Sequence, residues 1–101
     1  MPKVTVDHNT SLSSDAAFEK IKTFFETDAD LKKIDDAIKV EFTPGSHTGK
    51  VIGKQFKADI IVKDGGKGSL VSVIVDLPFL LTPVKGKVQE TIQKKLNKYL
   101  A

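Results

Sequence analysis

Two histidines, a run of serines and a scatter of carboxylates are the side chains in this sequence whose chemistry could reach beyond packing. Ser11, Ser13 or Ser14 with His8 or His47 and an aspartate would compose a nucleophilic triad. No Gly-x-Ser-x-Gly elbow, the strained turn that exposes such a serine in one class of hydrolases, is present. These serines instead suit helix caps and turns, where a short hydroxyl satisfies a backbone group. His8 follows a strand pattern and His47 lies in a glycine turn, so each is simplest as an exposed or loop-anchoring imidazole. The stretch from Gly45 to Val51 resembles a phosphate loop only superficially. It is one residue short, has no Ser or Thr after Lys50, and leads into a strand where that motif needs a helix. Asp28, Asp30, Asp35 and Asp36 lack the central glycine and terminal glutamate of a calcium loop, and capping plus a solvated acidic face accounts for them. The total absence of cysteine removes thiolate catalysis, disulfides and Cys-ligated zinc. The expectation is a chain with no metal, no cofactor and no enzymatic activity.

Composition narrows the partners. The 101 residues are 40% hydrophobic and 29% charged, which suits one α+β domain over 1–101 with one modest core. No apolar span is long enough for a membrane helix, and the start, Met1 to Val6, has no apolar leader segment, so a cytoplasmic protein is expected. The net charge of +3 is uneven: residues 82–101 hold five lysines against one acid, whereas 1–43 hold six against nine. All 16 basic residues are lysine. Without arginine's bidentate fork, specific nucleic-acid recognition is not expected, although attraction to an anionic surface remains.

The elements that must position these residues follow from hydrophobic periodicity. Val4 and Val6 alternate with polar neighbours as a short strand. Ala17, Phe18, Ile21, Phe24 and Phe25 share one face of a helix spanning about Ser14 to Glu26. Continuing that helix would put Asp28 inside the apolar stripe, so a break near Thr27 is expected, with Thr27 or Asp28 capping a new segment through Leu31, Ile34 and Ile38. Val40 and Phe42 mark a strand, Pro44 to Gly49 a turn, and Val51 the start of a weaker strand. Phe56, Ala58, Ile60 and Val62 alternate in the next, and three glycines between Asp64 and Gly68 supply positive φ angles for a hairpin. The returning strand, Leu70 to Leu77, sets Val71, Val73, Val75 and Leu77 on one face, while Ile61 and Ile74 point outward. Thr82 caps a final helix with Pro83 in its first turn. Val84, Val88, Ile92, Leu96, Tyr99 and Leu100 then span an arc of about 160° on that helix. Lys87, Lys94 and Lys98 share one flank within about 40°, and Gly86 allows close backbone approach. The expected fold is a curved antiparallel sheet of four to five strands, in β-α-β-β-β-β-α order, packed against an N-terminal helix and a long C-terminal helix.

The apolar run from Leu77 to Leu81, leading straight into the lysine-rich helix, has two readings. It is a buried strand end under the helix, or Phe79, Leu80, Leu81 and Val84 form the mouth of a groove or an exposed patch with Lys85 and Lys87 at the rim. The block from Leu77 through Val88, with Glu90, Ile92, Leu96 and Leu100, resembles the C-terminal signature of the small bacterial polyhydroxyalkanoic acid system (granule-region) proteins. Val4-Thr5-Val6, His8, Leu12-Ser13, Ala16-Ala17 and Gly53 to Asp59 agree more loosely, and the acidic first helix with Phe24 and Phe25 departs from that family. The resemblance implies a granule-associated protein with granule proteins as partners. The element order is also similar to a reduced helix-grip fold, which often encloses apolar ligands. The expected function is therefore engagement of a hydrophobic polymer, lipid, acyl ligand or granule surface. The alternative is a protein–protein interaction module or homodimer without a small-molecule ligand, using Ile61 and Ile74 or an edge strand.

Overall fold

The period-two pattern that opens the chain holds for eight residues, burying Val4 and Val6 while Lys3, Thr5, Asp7 and Asn9 face water. The computed structural model describes residues 3–29, 33, 37–54, 57–76 and 85–100. The elements are β1 (Lys3–Thr10), α1 (Ser14–Thr27), β2 (Lys39–Thr43), β3 (Thr48–Ile52), β4 (Lys57–Asp64), β5 (Ser69–Asp76) and α2 (Lys85–Tyr99). The five strands form one antiparallel sheet in the order β1-β5-β4-β3-β2. This is the expected α+β architecture and element order. His8 belongs to β1 and pairs with Val71, a correction to its expected place after the strand. The apolar alternation fades at His8 because α2, which packs chiefly on β1, presents a polar side chain there.

Helix α1 starts where its sequence says it should. The Ser13 Oγ accepts a hydrogen bond from the Ala16 N–H at 3.2 Å, satisfying one of the orphan donors of the first turn. Its apolar stripe, Ala17, Phe18, Ile21, Phe24 and Phe25, is buried in full, against Val51, Ile60, Val62, Val71 and Val73 from the sheet. Burying each of the larger side chains contributes about 2 kcal/mol, which makes this layer the main source of stability. The expected break is present: Asp28 caps the helix in an extended conformation, and its N–H still bonds to the Phe24 carbonyl. Leu31, Ile34, Asp30, Asp35 and Asp36 lie outside the described residues, as do Phe56, Leu77, Thr82 and Pro83.

Two turns differ from expectation. Pro44–Ser46 form a single 3-10 turn, and His47 follows it in the left-handed region at φ 51°. Strand β3 consequently starts at Thr48 rather than Val51, because the His47 carbonyl accepts from the Val62 N–H at 3.0 Å and registers the turn onto β4. In the β4–β5 hairpin only Gly66 has a positive φ, at 86°, where three such glycines were expected. Gly68 is needed for a different reason: a Cβ there would run into the Thr10 carbonyl oxygen at the end of β1. Gly68→Ala should therefore destabilise the fold by about 1–3 kcal/mol through overpacking. Gly65→Ala, whose nearest new neighbour would be 3.6 Å away, should have little effect. Urea denaturation of the two variants distinguishes the cases.

Candidate functional site

Helix α2 carries the only strongly basic surface the sequence singles out, and its apolar stripe is not covered evenly. Near its C-terminal end Leu96 is 0% exposed and Leu100 2%, whereas Ile92 and Val88, one and two turns earlier, are only half-buried against the core. The lysines of the first turn, Lys85 and Lys87, are exposed, and neither pairs with a carboxylate among the described residues. Lys94 is committed to Glu90 at 3.0 Å, one turn away on the same helix. That hydrogen bond and the Lys94 charge, with a smaller contribution from Lys87, hold the Glu90 carboxyl below its ordinary range. Gly86 has open space where a Cβ would stand, so the expected close backbone approach does not occur there.

What fixes the other end of α2 is a buried polar cluster that sequence patterning did not identify. Asp28 was expected as a cap or a solvated acid; its side chain is 4% exposed. Its Oδ2 accepts from the Lys95 ammonium and from the Tyr99 hydroxyl, each at 3.1 Å. A carboxylate at the C-terminal end of a helix opposes the macrodipole, and burial penalises it further. The Lys95 charge and the tyrosine donor offset part of these costs, which links the break of α1 to the docking of α2. The Tyr99 ring also packs on Phe24 at 5.0 Å between centroids. Thr10 Oγ1 donates to the Leu100 carbonyl at 2.9 Å, tying the same end of α2 to β1. A weaker tie lies midway, where the Gln93 amide nitrogen sits 3.1 Å from His8 Nδ1. The clue was the stripe position of Asp28, with Lys95 and Tyr99 spaced i,i+4 beside Leu96 and Leu100.

Of the expected binding residues, Lys85 and Lys87 sit on the exposed first turn of α2, while Phe79, Leu80, Leu81 and Val84 lie outside the described residues. His47 anchors its loop, with Nε2 2.6 Å from Asp15 Oδ1 and its ring edge-on to Phe18. His8 and His47 are thus engaged on different helices. The outward-facing Ile61 and Ile74 line an open hollow of 490 Å³ on the face of the sheet away from the helices, with Glu41, Lys50 and Asp59 around it.

No family model matches the sequence, and no curated protein matches it. Solved structures do match its shape. A START superfamily protein from Mycobacterium smegmatis aligns over 97% of this chain and 96% of its own at a TM-score of 0.63 and 12% identity. TTHA0849 from Thermus thermophilus aligns over 98% and 92% at 0.61 and 11%. The fold is START-like, of the helix-grip kind. The di-domain ARO/CYC BexL from the BE-7585A biosynthetic pathway also aligns, at 0.62 and 9%, over 99% of this chain but 44% of that one. BexL overturns the expectation that this chain is not an enzyme. That expectation rested on missing motifs, and catalytic groups can be assembled in space rather than in chain order.

The Asp28 cluster makes a direct prediction. Lys95→Met should cost about 3 kcal/mol, because it removes the cation beside a buried carboxylate. Tyr99→Phe should cost about 1 kcal/mol for the lost hydrogen bond. Thermal or urea unfolding of Lys95→Met, Asp28→Asn and the double variant should show the double costing less than the sum of the singles.

Proposed function

We propose that the chain binds a hydrophobic ligand between the N-terminal half of α2 and the sheet. The observation that carries this reading is the gradient along α2: an apolar stripe sealed at Leu96 and Leu100 and only half-covered at Ile92 and Val88. Apolar surface left half-covered beside exposed lysines suits a molecule with an apolar body and an anionic end, since the lysine stems extend the apolar margin while their ammonium groups meet the charge. The START-like fold supports the reading, since a helix-grip arrangement sets the sheet and the final helix face to face.

Within that class, an acyl chain, a lipid or the surface of an acyl polyester is the preferred ligand. Support comes from the apolar run Leu77 to Leu81, which feeds into this end of α2, and from the resemblance of the Leu77–Val88 block to granule-system proteins. A polyester granule would present the same chemistry as a free acyl chain, repeated over a surface.

A fluorescent acyl carboxylate titrated into the protein should give saturable binding. Ile92→Lys should abolish it, by placing a charge in the half-covered stripe. Lys85→Glu with Lys87→Glu should weaken binding of the carboxylate roughly fivefold, as exposed charge pairs contribute little each, and leave a neutral acyl ester unaffected. Co-sedimentation with polyhydroxyalkanoate particles distinguishes surface from single-molecule binding. Absence of saturable binding to every one of these ligands would refute the reading.

A further inference from the structure

The two edges of the sheet are not equivalent. At β1, α2 lies directly over the outermost strand. A second copy added there by antiparallel pairing would set two helices over strands about 4.8 Å apart, whereas packed helices need about 8–10 Å. That edge is closed to another copy. At the other edge is β2, with no strand beyond it among the described residues. Helix α1 runs over the middle of the sheet, packing most on β4.

The residues along this open edge complement themselves. On the helix side, Ile38, Val40 and Phe42 are each only half-buried against the core. On the other side stand Lys39 and Glu41, both exposed, and Phe42 covers the bare backbone of Gly49, where a Cβ would come within 2.6 Å of its ring. Charged side chains on an edge strand ordinarily discourage pairing. Their effect here depends on register. In antiparallel pairing about a two-fold axis at Val40, Val40 faces Val40, Lys39 faces Glu41 twice, and Ile38 faces Phe42 twice. Centring one residue later would set Glu41 against Glu41, so charge selects one register.

The existing cross-strand row reinforces that choice. Glu41 is paired with Lys50 on β3, and Lys50 with Asp59 on β4. Lys39 of a second copy would extend the row beside Glu41, giving alternating signs over four strands and adding a lysine at the rim of the outer hollow.

We infer that β2 is a homodimer edge, with a second copy of this chain as its occupant, producing a continuous ten-stranded antiparallel sheet centred on Val40. The inference stands apart from ligand binding at α2, which lies at the opposite side of the sheet. Sedimentation equilibrium of the full chain over a wide concentration range, at low ionic strength, tests it. The wild type should dimerise. Lys39→Glu and Glu41→Lys should each weaken dimerisation at least tenfold while retaining the circular dichroism of the wild type. An equimolar mixture of the two variants should restore the dimer, because each then meets its opposite charge, and so should the double swap in one chain. A wild type that remains monomeric at every concentration overturns the proposal, and so does a dimer that Lys39→Glu leaves unchanged.

Discussion

A single buried carboxylate organises the helical layer. Asp28 ends α1, and Lys95 and Tyr99 of α2 both reach its carboxylate and offset part of what its burial costs. Neither helix end is satisfactory alone. The pair also places Tyr99 against Phe24 and brings Leu96 and Leu100 into the core, so a polar interaction sets the alignment that the apolar contacts then consolidate.

The consequence is an asymmetric helix. Its C-terminal half is held by the Asp28 cluster, by two fully buried leucines and by the Thr10 bond to the Leu100 carbonyl. Its N-terminal half has half-buried valine and isoleucine, exposed lysines and a glycine with open space beside it. Segments with few buried apolar contacts open at lower free energy than the core they join. In a START-like architecture that difference falls between the sheet and the final helix, which is where the proposed ligand enters.

Much of the fold was legible from periodicity, because each strand and helix buries one face. The stripe of α1, the valines of β5, the cap at Ser13 and the break after Thr27 all follow from local rules acting in the same direction. What escaped was decided by contacts distant in sequence. The length of β1 beyond Val6 depends on its pairing with β5, the start of β3 on the His47–Val62 bond, and the need for Gly68 on the Thr10 carbonyl. The Asp28 cluster belongs with these: its partners lie 67 and 71 residues away, and a lone aspartate in a stripe looks like a cap until they are in place. The candidate site was half legible. Lys85 and Lys87 are exposed, but the apolar residues expected beside them lie outside the described residues, and the gradient along α2 depends on how the sheet is covered. Missing motifs do not decide the question of catalysis, since this fold is shared with the ARO/CYC BexL.

Hydrogen exchange along α2, with and without a saturating acyl carboxylate, is the most direct measurement of this asymmetry. The account predicts that amides from Leu96 to Leu100 exchange only with global unfolding, that those around Val88 to Ile92 exchange much faster, and that the ligand slows the second group selectively. Uniform protection along the helix, or ligand protection confined to the Leu96 end, would contradict it.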